Sequence, residues 1–280
     1  MMQLFSHNQK IKGPNRLSMW VTDEISKDAA ASIFSPFPDP FLKVLPSGAV
    51  LLKQARQRLV YRIDAEGLPA DKAVVKMFPL KNPISWLKYR KYAHREFINY
   101  HHARARKVAV PKIYAYVQKR TCGFVTGSGI IVECLNKYRD LMDIATHSPQ
   151  GYSSAAKMGI PALVALYNAG AMHIDARDEN IFIADSGNPQ DFSIIDWQYA
   201  RFHKPRSEWM LEHLAAYYIR NAPDAERSAL CSEWLLELHQ TAQHDLAFEE
   251  FSHRVEALLD ARQSVRARLT LRPAKSLEGV

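Results

Sequence analysis

The sequence predicts an α+β fold of two lobes, a small antiparallel-sheet lobe carrying one long helix and then a mainly helical lobe. Three observations predict it. Short β-branched, apolar runs recur between residues 48 and 132, the spacing expected of strands. One helix-compatible stretch, Pro83 to about Lys107, interrupts them. From about residue 139 onward helical periodicity prevails, broken by a single hairpin signal at residues 181–195. At 280 residues the chain is long enough for one two-lobed unit with a large core. The expected organisation is an irregular leader over residues 1–40, a first lobe over 41–135 and a second over 136–280.

The elements follow in order. Ser35-Pro36-Phe37-Pro38-Asp39-Pro40 marks the leader as irregular, packed on the first lobe. Gly48–Leu52 and Leu59–Ile63 read as paired strands, and Ala73-Val74-Val75-Lys76 as a third. Gly129–Val132 should be the last strand of the first lobe, ending in a connector at Glu133-Cys134-Leu135-Asn136. Arg139–Ile144 begins a helix. Pro161–Gly170 is a buried helix with a glycine cap that leads directly into His173. Ile181–Ala184 and Phe192–Ile195 flank the turn formers Asp185-Ser186-Gly187-Asn188-Pro189, so they should form a hairpin. Helices centred on Trp234–Leu238 and Val255–Leu259 complete the second lobe, and Lys275 to Val280 should be a loose end.

The segment His173-Ile174-Asp175-Ala176-Arg177-Asp178-Glu179-Asn180 carries the chemistry. Its H-x-D-x-R-x-x-N spacing supplies a carboxylate to align an acceptor hydroxyl, a cation for a transferring phosphoryl group and an amide oxygen for Mg²⁺. The predicted hairpin would bring Asn180 beside Asp196, a second oxygen ligand of the hard type that magnesium requires. A histidine in such a pattern is, on its own, more often a buried hydrogen-bonding residue. The upstream residues provide an independent check. Phosphoryl transfer of this kind needs a strand lysine for the α/β-phosphates and a helix acid to hold it. Lys76 ends its strand, and Glu96 lies twenty residues on in the long helix stretch. Lys76, Glu96, Asp175, Asn180 and Asp196 thus occur in the required order on suitable elements. Backbone groups of Glu133, Cys134 and Leu135 would contact adenine. The turn expected to cover the phosphates, Lys53 to Arg58, has no glycine, so Lys53, Arg56 or Arg58 would supply charge there instead.

With these residues the chain resembles the protein-kinase-like superfamily, and within it the bacterial lipopolysaccharide-core kinases, the Kdo and heptose kinase family. The shared features are the G-x-V strand, the arginine-containing first turn, the strand lysine, the helix glutamate, H-x-D-x-x-x-x-N and the following I-D, over about residues 45–220. Ile174 stands where arginine commonly follows the histidine, and Trp197-Gln198 replaces Phe-Gly; the I-D-W form is also similar to that of aminoglycoside and choline phosphotransferases. The resemblance implies an ATP- and Mg²⁺-dependent kinase whose acceptor is a hydroxyl on a sugar of the lipopolysaccharide inner core, with Lys76, Glu96, Asp175 and Arg177 catalytic. Alternatives are a protein kinase, a small-molecule kinase, or a nucleotide-binding scaffold without catalysis. About ten residues separate Asp196 from the next helix, near Ser207, and no A-P-E motif follows. A long phosphorylatable activation loop does not fit, so activity without loop phosphorylation is expected.

Composition sets compartment and partners. No apolar run of about eighteen residues occurs, and the polar start lacks a signal-peptide core, so a cytoplasmic protein is expected. Cys122, Cys134 and Cys231 are odd in number and lack metal-ligand spacing, which fits free thiols. The formal charge of +8 is concentrated. Residues 81–107 hold eight Lys or Arg against the single acid Glu96, interleaved with Trp86, Tyr89 and Tyr92. Such a segment suits peripheral contact with an anionic membrane, and equally a solvated helix face; no recognised nucleic-acid module accompanies it.

Overall fold

In the computed structural model, residues 9–12, 17–34, 45–55, 58–64, 68, 71–80, 82–149 and 151–260 are described. The chain divides into two compact units. The first comprises residues 1–101 and 111–135, the second 102–110 and 136–280.

The first unit is built on a seven-stranded antiparallel sheet. Its strands are β1 (Gln9–Lys12), β2 (Leu17–Val21), β3 (Val50–Ala55), β4 (Arg58–Asp64), β5 (Lys72–Pro79), β6 (Ile113–Thr121) and β7 (Phe124–Glu133), in the order β1-β2-β6-β7-β5-β4-β3. Helix α1 (Lys27–Phe34) precedes β3, and α2 (Pro83–Tyr89) and α3 (Tyr92–Ala105) follow β5. Successive side chains on a strand point to opposite faces. On β5 this places Ala73, Val75 and Met77 in one buried cluster with Leu17, Met19 and Val21 of β2 and Ala30 and Ile33 of α1. Lys76 therefore projects from the other face, where α3 lies.

Residues 9–12 and 17–34 were expected to be irregular and instead form β1, β2 and α1. Leu17, Met19 and Val21 alternate with Ser18 and Trp20 as a strand requires, and β2 pairs with β6 from Leu17↔Lys119 to Val21↔Ala115. Thr22 then ties the strand end to β6, its Oγ1 donating to the Ile113 carbonyl at 2.8 Å. The physical reason is coverage: α1 closes the sheet face opposite Lys76, which would otherwise leave Val75, Met77 and Tyr61 in water. The Pro-rich segment 35–40, Arg56, Lys81 and residues 275–280 lie outside the described residues.

The long helix expected from Pro83 to Lys107 is broken at Arg90 and Lys91. Helix α2 is started by an Asn82/Ser85 capping box with Pro83 in the first turn, and it packs on β7. Helix α3 instead buries Ala93, Glu96, Phe97, Tyr100 and Ala103. Two different supports cannot be met by one straight axis, and the chain turns between them.

The second unit is mainly helical. It holds β8 (Tyr138–Asp140), α4 (Leu141–His147), α5 (Gly151–Met158), α6 (Ile160–Ala169), β9 (Ala171–Met172), β10 (Ile181–Ala184), β11 (Phe192–Ile194), β12 (Arg201–Phe202), α7 (Glu208–Asn221), α8 (Arg227–Ala229), α9 (Leu235–Ala242) and α10 (Phe248–Asp260). Asp140 caps α4 by accepting from the Asp143 N–H at 2.7 Å. Helix α6 buries Ile160, Ala162, Leu163, Leu166, Tyr167 and Ala169, and packs on α7 and α9. The hairpin read from the sequence forms with Ile181↔Ile194 and Ile183↔Phe192 in register, and β8 adds a third strand.

Gly170 ends α6 at φ +64, the left-handed conformation its missing side chain tolerates. A Cβ there would lie 2.5 Å from the His203 carbonyl oxygen and 2.9 Å from Pro205 N. The same carbonyl accepts Arg106 Nη1 at 2.8 Å, and the His203 N–H donates to the Gly170 carbonyl at 2.7 Å. Gly170→Ala combines backbone strain with a clash against main chain that cannot rotate away. It is expected to cost about 2–4 kcal/mol, read as a lowered urea midpoint with unchanged slope.

Candidate active site

The first unit holds a buried ion pair. Lys76 is paired across β5 with Val60 on one side and Ile130 on the other, so its backbone is fixed in the centre of the sheet. Its Nζ lies 2.8 Å from Glu96 Oε1 of α3, with the two side chains 10 % and 1 % exposed. The ammonium also stands 5.9 Å above the Phe78 ring. Removal of either charge would leave the other in a low-dielectric interior, so each holds the other's orientation. Glu133 ends β7 with its N–H donating to the Lys112 carbonyl at 2.8 Å and its Oε2 accepting from the Lys112 N–H at 3.0 Å. Its own N–H is therefore engaged within the sheet. Cys134 is buried, which pushes its thiol pKa up, and with Leu135 it lies outside any helix or strand. Arg56, the other residue expected to meet the nucleotide, lies outside the described residues.

The second unit holds the loop between β9 and β10, and His173 organises it. Its Nδ1 accepts the Asp175 N–H at 3.3 Å and its Nε2 faces the Ile195 carbonyl at 2.9 Å. That carbonyl can only accept, so the proton sits on Nε2 and the ring is neutral. Burial lowers its pKa despite the upward pull of Asp175 and Asp196. A neutral, two-ended imidazole thus locks Asp175 to the residue preceding Asp196. Trp197 packs edge-on against this ring at 4.8 Å between centroids, and its Nε1 donates to the Ile194 carbonyl at 2.8 Å.

Asn180 completes the frame. Its Nδ2 donates to the Asp175 carbonyl at 2.8 Å, while its own carbonyl accepts the Ile195 N–H at 3.0 Å. The amide nitrogen being engaged, Oδ1 remains as an oxygen donor. Asp196 takes φ 64 and ψ 54, a left-handed conformation that costs a non-glycine residue about 1–2 kcal/mol and persists only where neighbours enforce it. Hydrogen bonds through Asn180 thus tie the Asp175 backbone to Ile195, the residue preceding Asp196.

Two features of the loop were not legible. Tyr217 of α7 donates its hydroxyl to Asp175 Oδ1 at 2.9 Å. No pattern in α7 distinguishes Tyr217 from its buried neighbour Tyr218. Arg177 is not an open cation: its Nη2 lies 2.6 Å from Glu179 Oε2 and its Nε 3.6 Å from Asp175 Oδ1. Asp178 serves structure, accepting the Tyr152 hydroxyl at 2.8 Å in a buried setting that raises its pKa.

The segment after Asp196 is short. A 3₁₀ turn at Trp197–Tyr199 and strand β12 lead to Ser207, and β12 pairs with β9 through Arg201↔Met172 and Phe202↔Ala171. Phe202 stacks parallel to Trp197 and lies under the Arg106 guanidinium. This stretch is held by its own packing.

Comparison with known proteins decides the family. The sequence pattern of the Lipopolysaccharide kinase (Kdo/WaaP) family matches residues 81–236, more than half of the chain. The chain belongs to this family. The protein is accordingly an ATP-dependent kinase. Among solved structures, the kinase resembles "WaaP in complex with acyl carrier protein" at TM-score 0.55 and 18 % identity, covering 79 % of this chain and 88 % of that one. At that identity the likeness shows the fold, a two-lobed α+β kinase-like fold as the sequence predicts. Vaccinia related kinase 3 matches at TM-score 0.38 and 10 % identity over 90 % of each chain, too distant to carry weight. No curated protein sequence matches the kinase.

Proposed function

We propose that the protein transfers the γ-phosphoryl group of ATP to a hydroxyl on a sugar of the lipopolysaccharide inner core. The family membership of residues 81–236 supports the acceptor class. The observation that carries the chemistry is the single frame of Asp175, Asn180 and Asp196 built by His173 and the Ile195 backbone.

The donor set fits magnesium: one carboxylate from Asp196 and one amide oxygen from Asn180, hard ligands that leave room for water and phosphate oxygens. Bound Mg²⁺ and ATP would supply the phosphoryl group and neutralise charge on it. The protein's own groups do the rest. Lys76, oriented by Glu96, holds the α/β-phosphates. The Asp175 carboxylate receives a hydrogen bond on Oδ1 from Tyr217, which leaves Oδ2 to orient the acceptor hydroxyl and take up its proton. Arg177 stabilises the transferring group by exchanging Glu179 for phosphate oxygens. Because the segment between Asp196 and Ser207 is already ordered by β12 and Trp197, activity needs no loop phosphorylation.

Tyr217 acts as a positioning residue. Tyr217→Phe is expected to lower kcat about tenfold with KM for ATP unchanged, since it frees the Asp175 carboxylate to rotate without touching nucleotide residues. An unchanged kcat would assign Tyr217 to packing alone. The acceptor is tested by treating lipopolysaccharide with enzyme and ATP, splitting core from lipid A with mild acid, and weighing both fractions. The proposal expects one added phosphoryl group on the core fraction; phosphate on lipid A alone would defeat it.

A further inference from the structure

We infer that α2 and the tip of the β6–β7 hairpin form a surface that docks on an anionic lipid bilayer. The inference rests on the lipid-anchored acceptor proposed above, and its structural grounds are separate. Ile84 is 75 % exposed and Leu87 67 %, more than any other large hydrophobic residue described. They stand three apart on α2 and so share one face of the helix. Phe124, at the start of β7, is 52 % exposed. The elements that carry them are tied together. The capping box holds the start of α2, Trp86 Nε1 donates to the Leu80 carbonyl at 2.7 Å, and the Trp86 ring stacks on Phe124 with centroids 5.8 Å apart. Trp86 thereby joins helix and hairpin into one rigid platform whose apolar groups point outward.

The charge around this platform selects the partner. From Lys72 to Val132 the sequence has thirteen Lys or Arg and one acid, Glu96, which is buried on Lys76. No exposed carboxylate from this stretch opposes the exposed Arg90, Lys91 and Arg95 that follow α2, or Arg120 beside the hairpin turn. Aliphatic groups and an indole framed by cations match a bilayer interface, where the apolar groups enter the acyl boundary and the cations meet lipid phosphates. A solvated basic face explains the charges but not an Ile and a Leu held outward on a capped helix.

The test is co-sedimentation of the full-length protein with phosphatidylglycerol-rich vesicles and with pure phosphatidylcholine vesicles. Binding to the anionic vesicles only, weakened by salt, is expected. Ile84→Asp/Leu87→Asp should reduce that binding about tenfold or more while kcat on detergent-dispersed acceptor is retained. Phe124→Ser, a milder change on the hairpin, should reduce it less. Absence of wild-type binding, or wild-type binding by the Asp double variant, would overturn the inference. Capture of an acidic soluble protein in place of vesicles, lost in the same variants, would overturn it too and give the surface to a protein partner. Vesicle binding without transfer to lipopolysaccharide would leave the docking surface standing and remove the acceptor assignment.

Discussion

Asp175→Asn is expected to lower kcat by about three decades while leaving the fold and ATP binding intact. Asparagine keeps the size of the side chain and can still accept the Tyr217 hydroxyl, so the 2.9 Å bond to position 175 survives in form. The backbone contacts of residue 175, to His173 Nδ1 and from Asn180 Nδ2, do not involve the carboxylate and also survive. What is lost is the negative charge that, in the proposed reaction, orients the acceptor hydroxyl and accepts its proton. Calorimetric ATP binding and the thermal midpoint should match wild type, with the deficit confined to turnover. A variant with near-normal kcat would remove Asp175 from the reaction.

The second large effect separates catalysis from stability at the Lys76–Glu96 pair. Lys76→Met should destabilise the protein by about 3–5 kcal/mol, because Glu96, 1 % exposed, loses the cation at 2.8 Å. It should also reduce kcat/KM by about two to three decades, the scale of losing one preorganised cation at developing phosphate charge. The double variant Lys76→Met/Glu96→Leu replaces the pair with apolar groups of similar volume and should recover most of the stability. It should recover none of the activity. Chemical denaturation and steady-state kinetics on the three proteins measure both. If the double variant regained activity along with stability, Lys76 would be structural.

The sequence made the chemistry-bearing stretches legible because they combine fixed spacing with local structure. The interval from His173 to Asn180 and the turn residues between Ile183 and Phe192 set the loop and its hairpin, and the register Ile181↔Ile194 follows from them. Lys76 and Glu96 were legible as a pair because each sits on an element whose type was clear. The first strands were obscured by the Pro-rich segment after Phe34, although Leu17, Met19 and Val21 alternate as a strand should. The partner of β2 in the sheet, β6, is distant in sequence, so no local signal announced it. Tyr217 belongs to the same class. Its contact with Asp175 spans forty-two residues and depends on how α7 packs, which helical periodicity alone does not report. The break at Arg90 and Lys91 likewise comes from Trp86 and Phe97 seeking different supports.

The most direct test of the central claim is Mg²⁺-dependent transfer from γ-labelled ATP by the purified protein, offered detergent-dispersed lipopolysaccharide in one reaction and a cell protein extract in another, with Asp175→Asn as the control. The account predicts label in the glycolipid, lost in the variant and absent without Mg²⁺. Label in protein alone, or ATP binding with no transfer to either acceptor, would contradict it.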